Sequence, residues 1–158
     1  MNEEILRLFR EATEAENLRD LETAKKKLDR IMELSRGKDP EAYFTACFRL
    51  ADIFIQEDNY RGAVKCAIRA IHRAGEGELY SRGVRMLGDI LFMMKMNGKF
   101  GELSENMEPT LGLIRSNDEL YRFVLALIKL AKGEEVKESF SSKEFNEILR
   151  SLRGAQGP

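Results

Sequence analysis

The sequence predicts an all-α protein of about eight helices packed as antiparallel hairpins. Three observations carry this. Apolar residues recur at three- and four-residue spacing almost throughout, the period of a helix face. Only three prolines occur in 158 residues, none within an uninterrupted apolar pattern, and no stretch alternates as a strand closed by a hairpin turn. Short breaks of Gly, Asn and Asp interrupt the pattern, and helices joined by such turns lie antiparallel beside their neighbours.

The first helix is expected over about Glu3 to Glu16, with Ile5, Leu8, Phe9, Ala12 and Ala15 on one face. The second runs from Arg19 to Ser35, with Leu21, Ala24, Leu28, Ile31 and Met32 inward, and Gly37 stops it. Asp39 caps the third, and Pro40 suits its first turn, where no N–H is needed. That helix extends to about Glu57. Asp58-Asn59 turns the chain into the fourth, Tyr60 to Ala74. The fifth, about Leu79 to Met96, is unusually apolar and ends at Asn97-Gly98. The sixth is expected from Phe100 to Ile114, with Pro109 as a kink. Two Ser-x-x-Glu capping boxes, Ser116 to Glu119 and Ser141 to Glu144, open the seventh and eighth. The seventh is apolar around most of its circumference and should be covered on several sides. The eighth has a polar outer face suited to capping the array. Residues 1–153 read as one domain, and 154–158 as a flexible tail.

With 43% hydrophobic and 34% charged residues, the composition is that of a soluble helical protein. The longest apolar run, Phe123 to Ile128, falls far short of the roughly 20 residues that cross a bilayer. Met1-Asn2-Glu3-Glu4 is acidic where a signal peptide is basic, which places the protein in the cytoplasm without membrane contact. Glutamine occurs only at 56 and 156 while Glu, Lys and Arg abound, a balance seen in thermophilic proteins. The net charge of −1 hides a basic middle: residues 59–101 sum to +5, between −4 upstream and −2 downstream.

Repetition then sharpens the fold. Leu50, Ala51, Phe54, Tyr60, Ala63 and Ala70 stand at the spacing of the tetratricopeptide repeat, which this stretch resembles. Small residues at 51 and 63 let two helices approach to about 8–10 Å. Leu21 and Ala24 echo Tyr60 and Ala63 39 residues upstream, and Phe100 follows Tyr60 by 40, against ~34 in that family. Ala67 replaces its usual aromatic and Gly75 its usual proline. The resemblance is closest over 44–74 and partial over 5–36 and 79–114. It implies a tetratricopeptide-like right-handed superhelical stack.

The resemblance also implies a non-enzymatic adaptor or scaffold that binds another protein in a concave groove. Carried onto the matching positions, the groove comprises Thr45, Phe48, Asp52, Ile55 and Gln56, then Arg82, Arg85, Asp89, Phe92, Met93 and Met96. Met-rich surfaces suit adaptable binding. The competing reading is that the fifth helix is simply central and buried. Asp52 and Asp89 replace the asparagines with which this family clamps peptide C-termini, and Phe48 replaces a basic residue. A free carboxylate would be repelled.

No catalytic constellation, cofactor motif or metal set is apparent. Gly98-Lys99-Phe100-Gly101 lacks phosphate-loop spacing. Cys47 and Cys66 read as packed free thiols, and His72 as a surface histidine. Arg61, Lys65, Arg69, His72 and Arg73 form a basic stripe on the fourth helix. It reads either as a solvated face balanced by acidic helices or as a nucleic-acid contact. A nucleic-acid-associated factor using that stripe, and a homodimer closed through the groove, are the alternative functions.

Overall fold

A computed structural model describes residues 2–155. Among them the chain forms eight α-helices and one 3-10 turn, with no strand. It divides into two compact units, Met1–Gly75 and Glu76–Pro158. Gln156 to Pro158 of the expected tail lie outside the described residues, whereas Gly154 and Ala155 continue the last helix.

The first unit holds α1 (Glu3–Asn17), α2 (Leu21–Ser35), α3 (Pro40–Gln56) and α4 (Tyr60–Ala74), each packed on the next. Each helix begins at an Asn or Asp whose side chain accepts a free backbone N–H. Asn2 takes that of Ile5 at 2.8 Å, Asp20 that of Thr23 at 3.2 Å, Asp39 that of Ala42 at 3.1 Å and Asn59 that of Gly62 at 2.9 Å. The second helix therefore starts after Asp20. Arg19, expected to be its first residue, instead adopts φ +62° in the turn. Of the faces expected to be inward, Ile5, Leu8, Ala12, Ala15, Ala24, Leu28, Ile31 and Met32 are buried, while Phe9 and Leu21 are half-buried. Ala51 and Ala63 are both fully buried.

Arg49 of α3 reaches α1, pairing with Glu16, donating to Thr13 Oγ1 at 3.0 Å and lying over the Phe9 ring. Lys25 of α2 bonds Glu57 at 2.9 Å and sits over Phe54. These contacts tie α3 to both helices of the preceding hairpin.

One turn recurs. After α1 the N–H of Arg19 bonds the carbonyl of Glu16, and that of Asp20 the carbonyl of Ala15. The same pair of bonds follows α3 at Asp58 and Asn59, α5 at Gly98 and Lys99, and α7 at Gly133 and Glu134. This is the Schellman closure, with a left-handed residue at its centre: Arg19, Asp58, Gly98 and Gly133 at φ +62°, +60°, +71° and +83°. The four centres are 39, 40 and 35 residues apart. The first two intervals equal the 39- and 40-residue offsets read from side-chain types. At Gly98 and Gly133 a Cβ would cost about 1–2 kcal/mol. Gly98→Ala and Gly133→Ala should each lower stability by about 1 kcal/mol in urea unfolding. Gly112→Ala, within a helix and with open space around its Cβ, should raise it by about 0.5 kcal/mol. Equal effects at all three sites would contradict the turn assignment.

The second unit holds α5 (Glu78–Met96), a 3-10 turn (Phe100–Ser104), α6 (Glu108–Leu113), α7 (Asp118–Ala131) and α8 (Lys143–Ala155). The expected sixth helix is broken. Pro109 has no N–H and its ring collides with the carbonyl four residues back, so it is tolerated only in the first turn of the short α6. Asn106 at φ +62° separates that helix from the 3-10 turn.

Neither capping box forms as expected. Asn117, not Ser116, caps α7 by accepting from Leu120 N–H at 3.2 Å. Glu119 turns away to accept the Ser141 hydroxyl and, at 3.1 Å, the Ser142 N–H. Ser142, not Ser141, then caps α8 through Phe145 N–H at 3.2 Å. Glu119 of α7 and Ser141 of the α7–α8 connection thus bond each other in place of their own boxes, and that connection is pinned along its length. Phe140 exchanges two hydrogen bonds with Asn146, at 2.8 and 2.7 Å, and Arg153 donates to the Val136 carbonyl at 2.6 Å. Arg122 pairs with Glu138 and lies over Phe140. As expected, α7 is covered on several sides, with Leu120, Phe123, Val124, Ala126, Leu127 and Leu130 buried.

Candidate functional site

Two opposite faces of α5 explain the site. One face buries Gly83, Val84, Leu87, Ile90, Leu91 and Met94. The other carries Arg82, Arg85, Asp89, Phe92, Met93 and Met96, all exposed. All six line one groove of about 900 Å³, whose second wall is α8. Gly88 brings the walls together: a Cβ there would stand 3.0 Å from Ile148 Cγ1.

The groove changes character along its length. Its charged half has Arg82, Arg85 and Asp89 from α5 and Glu144 and Glu147 from α8. Its apolar half has Phe92, Met93, Met96 and Leu152. Phe92 is 45% exposed, Met93 40% and Met96 68%. The other large exposed apolar side chains among the described residues, Leu6, Leu18 and Leu113, are scattered over separate elements. Isolated exposed leucines are ordinary, whereas a contiguous apolar patch beside a groove is not. The fifth helix is therefore buried on one side only, and these methionines are not core.

The first-unit residues of the predicted groove behave differently. Phe48 is 6% exposed, with its ring 4.8 Å from that of Phe44, and is a core residue rather than a groove wall. Thr45, Phe48, Asp52 and Ile55 share one helix face by their three- and four-residue steps, so the burial of the Phe48 ring comes from what packs on it and not from the local spacing. Thr45 and Ile55 are half-buried, Asp52 and Gln56 exposed. Asp52 is raised above the ordinary carboxylate value by partial burial and by Glu16, against the pull of Arg49. Gln56 accepts from Arg19 at 3.3 Å.

On the basic stripe, Arg73 is exposed and Arg61, Lys65, Arg69 and His72 are half-buried. The Arg69 charge acts on Asp29, whose carboxyl burial nonetheless raises. Cys47 and Cys66 are buried free thiols, pushed up to about 12 chiefly by burial. Among the described residues no three His, Cys, Asp or Glu side chains gather as metal ligands. No helix among them is long and apolar enough to cross a membrane.

His72 is not a simple surface histidine, because its Nδ1 is buried without a hydrogen-bond partner. Burial, then Arg73, pulls the imidazole below its ordinary value of 6.5. The unfolded chain then binds a proton more readily than the folded one. Stability conferred by neutral His72 is complete above 6.5 and declines as pH falls from there through the folded value. His72→Gln should flatten that part of the stability–pH curve, read from urea midpoints between pH 7.5 and 5. Parallel curves for the two proteins would contradict the burial account.

The α8 wall, with Glu144, Glu147 and Ile148, is not among the groove residues the sequence predicts, which assigns that helix to capping the array. The available signal was Gly88, a helix-interior glycine, which marks close approach of another element. The chain matches no family model, no curated protein and no solved structure.

Proposed function

We propose that the chain is a non-enzymatic protein-interaction module built from tetratricopeptide-like helical hairpins. The two hairpins of Met1–Gly75 would be successive repeats of a right-handed stack. Support comes from the recurring Schellman turn and from the Arg49 and Lys25 contacts between hairpins. The observation that carries the function is the apolar patch of Phe92, Met93 and Met96 at one end of the α5–α8 groove. The ligand is a helical segment of another protein, with two or three apolar anchors at one end and mixed charge at the other. Acidic side chains would face Arg82 and Arg85, and basic ones Glu144 and Glu147. Binding of this kind needs no reactive group, in keeping with thiols that stay protonated at neutral pH.

The test is to select amphipathic helical peptides on the protein from a display library and map their footprint by methionine-methyl NMR. The reading expects shifts at Met93 and Met96, with Met32 and Met107 unmoved. Peptides that shift only Met32 or Met107, or no selectable binder, would contradict it.

A further inference from the structure

Among the described residues the exposed sulfur lies in thioethers rather than thiols. Both cysteines are buried, and so are Met32, Met94 and Met107. Met86 is half-buried. Met93 and Met96, one helical turn apart on the outer stripe of α5, are the open ones among the described residues. They flank Met94, a fully buried neighbour on the same helix, so local sequence is shared and only accessibility differs. Both line the apolar end of the groove beside Phe92.

We propose that Met93 and Met96 are a peroxide-oxidation site that switches the apolar end of the groove to a polar surface. The sulfur lone pair attacks one oxygen of hydrogen peroxide and the O–O bond breaks. That oxygen stays on sulfur as the sulfoxide, and the other leaves as water after proton transfer. Sulfur loses two electrons and the peroxide gains them. Thiol reduction reverses the step: two thiols become a disulfide, and the sulfoxide oxygen leaves as water. A sulfoxide is a strong hydrogen-bond acceptor on a side chain that was apolar, and such a change disrupts methionine-rich interfaces. The site sits on a face away from the α5 core line, so oxidation there leaves the fold intact. The assignment of the site rests on exposure alone; its effect on binding rests on the docking reading above.

The experiment treats the full chain with hydrogen peroxide and follows each methionine by peptide mapping. The expected order is Met96, then Met93, with Met32, Met94 and Met107 slower by at least ~10-fold and the thermal midpoint unchanged. A peptide selected on the untreated protein should then bind at least ~10-fold more weakly, and recover after thiol-coupled reduction. In a Met93→Leu/Met96→Leu variant the same treatment should leave affinity unchanged. Oxidation of Met94 or Met107 as fast as Met96 would overturn the site. So would binding that survives complete oxidation of Met93 and Met96. If no peptide binds the untreated protein, the docking reading and the switch fall together. The mapping then decides separately whether Met93 and Met96 are the oxidation site.

Discussion

Phe145→Ala should lower stability by about 3–5 kcal/mol. Phe145 is fully buried, with its ring stacked on that of Phe123, centroids 4.1 Å apart and planes at 10°. Phe140 meets both rings edge-on at 5.7 and 5.9 Å, and Tyr80 approaches Phe145 at 6.5 Å. One ring therefore joins α5, α7, α8 and the strap between the last two. Its removal leaves a cavity bordered by rigid aromatics, which cannot collapse onto one another as flexible chains would. Urea unfolding gives the magnitude, and hydrogen exchange should show protection lost across α5, α7 and α8 together. Leu113→Ala, at a 56% exposed position, should change stability by no more than about 0.5 kcal/mol. A loss below about 1 kcal/mol for Phe145→Ala would mean that the cluster does not hold the unit together.

Ala51→Leu should cost about 3 kcal/mol, the upper end of the overpacking range. Ala51 and Ala63 have no exposed surface, and α3 packs on α4. The hairpin is closed by Asp58 in the left-handed conformation, so the helices cannot part without opening the turn. Three added carbons must displace α4 or force strained rotamers. Far-UV circular dichroism should show helicity retained while the urea midpoint falls. A tolerated leucine would contradict the close approach that the tetratricopeptide resemblance implies.

The helices themselves were legible because their signals are local. Apolar stripes and the Asp39 cap depend on residues within one turn; the caps at Asp20 and Asn59, equally local, stand at positions assigned to a helix and to a turn. The break in the sixth helix was half legible: Pro109 announced it, but the 3-10 turn and the left-handed Asn106 depend on how the chain closes against its surroundings. The capping boxes were misread for a related reason. Glu119 has the right spacing to cap its own helix, yet Ser141 and Ser142, 22 and 23 residues away, offer it a competing pair of donors. On the α5 side the six residues assigned to the groove all line it, five of them, 82, 85, 89, 92 and 96, along one helical stripe with Met93 beside it. The α8 wall and the burial of Phe48 are tertiary facts. Gly88 hinted at the first; nothing in the local pattern distinguishes Phe48 from Phe92, since each is an aromatic on a helix with apolar residues on several sides.

That difference between two phenylalanines gives the most direct measurement of the central claim. Phe92→Ala and Phe48→Ala are compared in affinity for a peptide selected on the wild-type protein and in thermal midpoint. If the α5–α8 groove is the docking face, Phe92→Ala weakens binding by at least ~10-fold and leaves the midpoint within a few degrees, since interface anchors carry about 2 kcal/mol or more. Phe48→Ala lowers the midpoint sharply, as a buried aromatic should, at about 3–5 kcal/mol. A Phe92→Ala protein that loses its midpoint but keeps its affinity would contradict the account, because Phe92 would then belong to the core.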